Sequence, residues 1–572
     1  MSQKKKKLER KIKKIEVNKA KIEFGDYELI DFLGVVKKHW IFLVILLIGT
    51  FILFANGLNA NFVSDDYATI PQNPNILNLG VALKIFNPVD ISNAIIANIF
   101  GIIPLPFHLY SLFLYFIFLI ISFVTLESLF GEVVAKFSMV IFSVLPIHVE
   151  AVTWISGKPY LFIGITILLS FIYFVNYLKS EKIKYLIFSL LILLFGFLVD
   201  KPRPFSLIIL ILLYLIYINK KDYWNRISKL LSLIGVTFGV LLLIAWPYIS
   251  NRINVVNGGI NASESIFYNP FFQYPTGLAK YFQIMFFPAD LTLYHTMYIF
   301  PVWLNWAILL IYFGSIGYFY FKDKRYFFAL SFILVTILPS MAPVKVSWLV
   351  AERYAFLASL GFCLLLGLII TDLGKKYKSV SVIILAVIVL LYGVRTYLRN
   401  IDWQTNHKLW VNTCQVSPNS HNAWNNIGDD YDKLEQYENS IKGFTQSTVV
   451  KPNYADAYHN RANIFFKIGR LDLARYSYET ALSFSPGLYQ TYLSLTQIDL
   501  LEKKMDLALK HAAISVQLQQ ENPQSWYVLA VVQGQAGLIN DAKTSVKNAL
   551  ILDPSYQAAR DLLASIEALI EE

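Results

Sequence analysis

The chain has 572 residues, 56% of them hydrophobic and 16% aromatic, with a mean hydropathy of +0.50; a soluble protein of this length does not carry so much apolar surface, so the composition points to a membrane protein. A net charge of +11 would suit nucleic acid if it formed a folded basic face, but eight of the first fourteen residues are basic (Lys4, Lys5, Lys6, Lys7, Arg10, Lys11, Lys13 and Lys14) and they precede the first apolar run. Such a tail is cytoplasmic by the positive-inside rule and touches anionic lipid rather than nucleic acid.

In chain order, residues 1–38 read as a basic tail, 39–398 as a multi-pass membrane domain, 399–418 as a linker and 419–572 as a repeat domain. Apolar runs of about 17–25 residues, the length that crosses a bilayer, begin near Trp40, Pro106, Glu132, Pro159, Tyr185, Pro204, Ile227, Val302, Tyr326, Val350 and Ser379. The first has no small-residue cleavage site and reads as a retained anchor. Basic connectors at Lys179–Lys184, Lys220–Lys229, Lys322–Arg325 and Lys375–Lys378 belong on the cytoplasmic side with the tail. That orientation leaves Gly277–Tyr294, interrupted by Pro288 and Asp290, as a re-entrant or interfacial segment. About eleven crossings result, and an odd number places the first outer loop and the C-terminal domain together on the far side. The Asn261-Ala-Ser263 sequon falls in an outer loop and permits glycosylation there.

The first outer loop opens with Asn61-Phe-Val-Ser-Asp65-Asp66-Tyr67. Adjacent aspartates can do no more than cap a helix, so other residues must make the case for chemistry. His148, Glu150 and Lys158, then Asp200-Lys201-Pro-Arg203, then Glu352-Arg353 stand at the outer ends of apolar runs. A single Lys or Arg there commonly snorkels. Several ionisable groups gathered on one side of a membrane point instead to a shared interior site. Two acids supply a general base or oxygen ligands for a divalent cation, and Arg or Lys at the same depth binds phosphate, Arg through its forked donors. A base and a phosphate clamp beside lipid describe transfer of a group from a lipid phosphate to an acceptor hydroxyl. The two cysteines, Cys363 and Cys414, make neither a disulfide framework nor a zinc site.

The last third of the chain repeats itself. Trp424, Tyr458, Tyr492 and Trp526 stand 34 residues apart, as do Ala474, Ala508 and Ala542, and Pro418, Pro452 and Pro486, with Pro554 two steps further on. With a small residue four positions after the aromatic (Gly428, Ala462, Ala530), this is the tetratricopeptide pattern. Each unit is a helical hairpin that buries its face on its neighbours, and the stack offers a concave surface to a peptide or protein.

Phe62-Val-Ser-Asp-Asp-Tyr67, Pro146-Ile-His-Val-Glu-Ala-Val152 followed by Gly157-Lys158, Phe287-Pro-Ala-Asp-Leu291, Val350-Ala-Glu-Arg-Tyr354 with Gly361-Phe-Cys363, and Arg399-Asn-Ile-Asp-Trp403 occur in that order. Together they resemble the transmembrane and tetratricopeptide-repeat O-mannosyltransferases, a family similar to the polytopic glycosyltransferases of the GT-C fold. The resemblance implies an all-α protein with a GT-C-like transmembrane domain followed by an α-solenoid. It also implies a polyprenyl-phosphate sugar as donor (mannose or another hexose), a protein Ser or Thr hydroxyl as acceptor, and repeats that bind the acceptor.

Carried to this chain, the catalytic acid is Asp65 or Asp66. His148 and Glu150 line the acceptor or metal side, and Arg353, with Lys201, Lys158 and Arg203, holds the donor phosphate beside Glu352. The Lys201-Pro-Arg203 stretch departs from the Lys-Glu expected there. The chemistry is inverting glycosyl transfer, with the aspartate taking the hydroxyl proton and the cations meeting charge on the departing phosphate. The membrane is the cell membrane in a prokaryote and that of the endoplasmic reticulum in a eukaryote, with site and repeats on the non-cytoplasmic side. Two alternatives share the residue set: an oligosaccharide ligase or polymerase acting on lipid-linked glycans, and a membrane-anchored repeat scaffold without chemistry. A transporter fits less well, since coupling sites lie at the midplane.

Overall fold

In the computed structural model, residues 29–228, 269–341 and 348–571 are described, with isolated residues between 235 and 251. Lys4–Lys14, nearly all of the run that starts near Ile227, and the Asn261 sequon lie outside the described residues. Regular structure is helical throughout, with no strand among the described residues. The chain divides into two compact units between Asn412 and Thr413.

The first unit is built on long apolar helices. These are α1 (Trp40–Phe54), α2 (Pro104–Phe130), α3 (Glu132–Ser143), α4 (Lys158–Ser180), α5 (Ile183–Val199), α6 (Ser206–Ile218), α7 (Pro270–Phe286), α8 (Val302–Lys322), α9 (Lys324–Ile337), α10 (Ala358–Gly374) and α11 (Lys378–Asp402). Five helical stretches among the described residues are long and apolar enough to cross a membrane: Trp40–Gly57, Pro104–Phe130, Ile155–Ser180, Val302–Lys322 and Lys378–Asp402. A sixth is the pair Glu132–Ser143 and Pro146–Val152, bent by 60° between its halves, and four shorter apolar helices accompany them. Gly277–Tyr294 is not one helix. α7 starts earlier, behind the Asn269 cap with Pro270 in its first turn, and ends at Phe286. Proline lacks the donor a helix interior needs, and Pro288 follows two residues later.

The helices sort by neighbour. α2 and α4 carry a continuous buried face, with Phe107, Tyr115, Phe118, Phe123, Leu161, Ile167 and Val175 hidden from solvent. α1, α8 and α11 instead expose Ile48, Ile52, Leu310, Ile311, Leu390 and Leu391. Contiguous apolar surface of that kind needs another apolar phase, and bilayer hydrocarbon supplies it. The stretch 399–418 is folded: Arg399–Asp402 completes α11 and Asn406–Val416 forms a helix of its own.

The second unit is a stack of helical hairpins. Its pairs are α12 (His421–Lys433) with α13 (Tyr437–Val450), α14 (Ala455–Lys467) with α15 (Leu471–Phe484), α16 (Tyr489–Leu501) with α17 (Met505–Leu518), and α18 (Pro523–Gln535) with α19 (Ile539–Leu552), closed by α20 (Gln557–Glu571). The repeated proline and aromatic have a common cause. Trp424 Nε1 donates to the Pro418 carbonyl at 2.8 Å, Tyr458 Oη to Pro452 at 3.0 Å and Trp526 Nε1 to Gln520 at 2.8 Å. Arg560 Nε makes the same bond to Pro554 at 2.9 Å. Each of these side chains caps the turn six residues before it, which fixes the entry of α12, α14, α18 and α20. Small residues set the hairpin spacing: Ala462, Ala474, Ala508, Ala530 and Ala542 are fully buried. A Cβ on Gly428 would come within 2.8 Å of the Phe444 ring.

Candidate active site

The acid pair lies on a turn that faces its two members in opposite directions. Ser64 adopts φ +51°, a left-handed conformation costly for a residue with a Cβ. Its N–H donates to Asn406 Oδ1 at 2.8 Å, and the Asn61 N–H donates to the Gln404 carbonyl at 2.9 Å. Asp66, first in the short helix Asp66–Thr69, points inward and is fully buried. Its Oδ1 accepts from the Ser156 N–H at 2.8 Å and the Ser156 hydroxyl at 2.6 Å, and its Oδ2 accepts from the Val63 N–H at 3.1 Å. Burial pushes the Asp66 carboxyl up to about 6, against the lowering pull of those bonds and of Lys158. Asp65 is exposed.

Ser156 belongs to a stretch, Glu150–Lys158, that touches several of the polar groups in turn. Glu150 is fully buried, accepts from the Arg353 backbone N–H at 2.8 Å and pairs with the Arg353 guanidinium. The Trp154 ring lies 5.3 Å from that guanidinium and 5.7 Å from the Trp403 ring. Lys158, fully buried at the start of α4, donates to Asn93 Oδ1 at 2.5 Å, with the Phe107 ring 5.1 Å away. Gly157 makes the stretch possible: a Cβ there would meet the Glu150 carbonyl at 2.4 Å and Ala151 Cα at 3.0 Å, both backbone atoms. The same chain segment therefore holds Asp66 through Ser156 and Arg353 through Glu150 and Trp154.

Arg353 and Arg203 form a second cluster. Their guanidinium carbons lie 5.0 Å and 5.2 Å from the Tyr354 ring, and Arg203 also lies 4.6 Å from Tyr160. Arg203 pairs with Asp200, and both arginines keep part of their surface open, 21% for Arg203 and 11% for Arg353. Lys201 sits half-buried two residues before Arg203. Glu352 turns away from Arg353. It is buried against Arg399, with Oε1 accepting from Nη2 at 2.8 Å, while Arg399 reaches Asp402 and Asn412 at 3.2 and 3.1 Å through Nη1.

His148 does not join the group. It is fully buried among Tyr115, Phe142 and Phe356, with Nδ1 2.9 Å from Tyr115 Oη and Nε2 2.8 Å from Ser359 Oγ. Neither ring nitrogen is left for an acceptor or a metal, so His-x-Glu is two side chains with separate destinations. Among the described residues, no three His, Cys, Asp or Glu side chains gather as a metal-binding set. Ser156, Asn93, Tyr160 and Arg399 are the members that sequence reasoning passed over. Arg399 alone carried a signal, an ionisable residue at the end of an apolar helix that must find a partner.

Residues 455–487 match the tetratricopeptide-repeat family profile. The human protein O-mannosyl-transferase TMTC3 is 26% identical over 299 residues, which cover 43% of this chain and 33% of that protein. The chain is thus similar, over part of its length, to the TMTC protein O-mannosyl-transferases. The Drosophila melanogaster protein O-mannosyl-transferase Tmtc3 is 26% identical over 145 residues, 25% of this chain and 16% of that one. The match thus spans about a third of the length of the human TMTC relative. Among solved structures, MamA aligns over 27% of this chain and 90% of its own at 15% identity and a TM-score of 0.25.

Proposed function

We propose that this TMTC relative is a membrane glycosyltransferase that moves a sugar, mannose or another hexose, from a polyprenyl phosphate to Ser or Thr hydroxyls of protein, with its repeats holding the acceptor. The observation that carries the reading is the short stretch in which Ser156 binds Asp66 while Trp154 touches Arg353. An acid loop and an arginine cluster are thereby tied to one rigid element, as displacement at a lipid phosphate requires.

In this reading Asp65 is the base and Asp66 the residue that positions it. A base must reach the incoming hydroxyl, and of the two only Asp65 is exposed, whereas Asp66 has both oxygens engaged by Val63 and Ser156. Arg353 and Arg203 receive the phosphate. Each already pairs with an acid, but a guanidinium has five donors and one carboxylate does not use them all. Stacking on Tyr354 and Tyr160 holds the planes that present those donors. Lys158, wholly buried on Asn93, acts on the field around Asp66 and not on the donor.

The lipid has a place to lie. An apolar cleft of about 370 Å³ lies among α7, α8 and α9, lined by Phe271, Leu278, Trp306, Phe313, Leu338 and Met341. The Leu338–Ser340 turn lies next to the Arg203–Phe205 turn.

The test is reconstitution. Purified full-length protein is incubated with polyprenyl-phosphate hexoses and a Ser/Thr peptide, and the peptide is weighed by mass spectrometry. One added hexose per modified residue, lost in Asp65→Asn and strongly reduced in Arg353→Ala, is the expected result. A pre-built glycan on the peptide, or transfer unaffected by Asp65→Asn, would overturn the assignment.

A further inference from the structure

Of the described cations buried in the first unit, one has no partner. Lys158 donates to Asn93, and Arg399 binds Glu352, Asp402 and Asn412. Lys280, in the second half of α7, is only 4% exposed and makes no hydrogen bond or ion pair with any described residue. Two acids lie within its electrostatic reach, Asp290 and Glu352, but neither closes on it. Asp290 is exposed to solvent, and both Glu352 oxygens accept from Arg399, Oε1 at 2.8 Å and Oε2 at 3.3 Å. An ammonium removed from water without a counter-ion is destabilising where it stands, and buried charges in proteins are paired. Here the described residues leave that place open.

The surroundings of Lys280 differ from those of the arginine cluster. Its charge acts on His295, whereas the next residue, Tyr281, feels Tyr354 and Arg353 and donates its hydroxyl to the Leu349 carbonyl at 3.4 Å. α7 therefore lies across the Glu352–Arg353 turn, with Lys280 on the Glu352 side. Polar groups on that side are open as well. Thr292 Oγ1 and His295 Nε2 are buried without a hydrogen-bond partner, and the ring nitrogen stands 3.7 Å from Glu352 Oε1. The flanks of α7 are apolar: Phe271, Phe286 and Phe287 are exposed, a state that bilayer hydrocarbon stabilises.

We propose that Lys280 is the seat of a phosphate carried on a lipid, a second anion site separate from Arg353 and Arg203. The ammonium is a compact charge with three donors, suited to the oxygens of a phosphate ester. Thr292 and His295 are the neighbouring side chains with hydrogen-bonding capacity to spare. The tether follows from the flanks of α7. A soluble anion has to leave water to reach a helix bordered by exposed phenylalanines, while a lipid brings its phosphate there on chains that those rings favour. Basic pockets among membrane helices hold lipid headgroups in this way. Two lipids carry the required group, a bilayer phospholipid and a polyprenyl phosphate. The site is defined by Lys280 and its surroundings and does not depend on the transferase reading.

The test counts lipids. Full-length protein in detergent, stripped of lipid, is titrated with polyprenyl phosphate, phosphatidylglycerol or polyprenol, and bound molecules are counted by native mass spectrometry. Wild type is expected to hold one phosphate lipid more than Lys280→Met, whose affinity at this seat falls about tenfold or more with the loss of a charge-assisted bond. Lys280→Arg should keep that lipid, and so should Arg353→Ala. If the extra molecule is polyprenyl phosphate, the seat belongs to the sugar carrier; if it is phosphatidylglycerol, to the bilayer. Equal binding of polyprenol, or equal counts in wild type and Lys280→Met, would overturn the proposal. Melting without lipid is the second measurement. Lys280→Met puts an uncharged chain of similar length in place of an unpaired charge, so it should melt no lower than wild type, and a drop would show a structural lysine instead. Asp65→Asn should lose sugar transfer and keep the lipid count, which separates a failure of this site from a failure of the transferase reading.

Discussion

Asp65 and Asp66 are chemically identical and differ only in where the Ser64 turn sends them. Asp65→Asn is therefore expected to abolish transfer with the melting profile unchanged, since that side chain is exposed. Asp66 makes a separate prediction through its titration. Because burial raises its carboxyl to about 6, the carboxylate is lost on acidification through that value. The pH–rate profile should then fall below about pH 6, and Asp66→Asn should erase that limb. The sign for stability is opposite. A folded-state value above the unfolded one means the fold binds this proton more tightly, so stability from this group falls as pH rises from about 4 through 6. Opposed slopes in activity and stability over one window would identify the group. His148 shows the converse lesson: its spacing to Glu150 looks like chemistry, yet a tight turn sends it into an aromatic core where both nitrogens are used.

At the scale of elements, the Glu150–Lys158 stretch and the end of α11 carry the most weight. Gly157→Ala must push Cβ into the Glu150 carbonyl, so it should cost about 1–3 kcal/mol and lower transfer by displacing Ser156 and Glu150 together. Thermal shift and turnover measured on one preparation check both effects. Arg399→Ala removes the partner of a wholly buried Glu352 and should cost about 3–5 kcal/mol, the price of an uncompensated buried charge. Such contacts were not legible in the sequence, because Glu150 and Arg353 lie 203 residues apart and no period links them. The repeats were legible for the opposite reason. Trp424, Tyr458 and Trp526 each bond the carbonyl six residues before them, so a local constraint recurs at multiples of 34 residues and prints itself on the chain. The apolar runs were legible as runs. How the helices pair, and which face inward, depended on partners the linear order does not show.

For the whole molecule, the arrangement of acids, repeats and basic connectors about the bilayer is open to a direct measurement. Both native cysteines are buried, so a single cysteine introduced elsewhere can be labelled against a quiet background. Cysteines at Asp65 and at the exposed Glu479 of the repeats are expected to react with an impermeant reagent from one side, and a cysteine at the exposed Lys375 from the other. Labelling of Asp65 and Glu479 from opposite sides would separate the proposed base from its acceptor.

The bond from Ser64 to Asn406 joins residues 342 positions apart, and it has a consequence for synthesis. The aspartates leave the ribosome early, but the groups that hold their turn, Gln404 and Asn406, emerge only after the membrane helices described here have been made. At about 5–20 residues per second that delay is on the order of tens of seconds. Through that interval the nascent chain has Ser156 to hold Asp66 but not yet Asn406 to hold the Ser64 N–H, so the exposed Asp65 would be set in place only by the segment that follows α11.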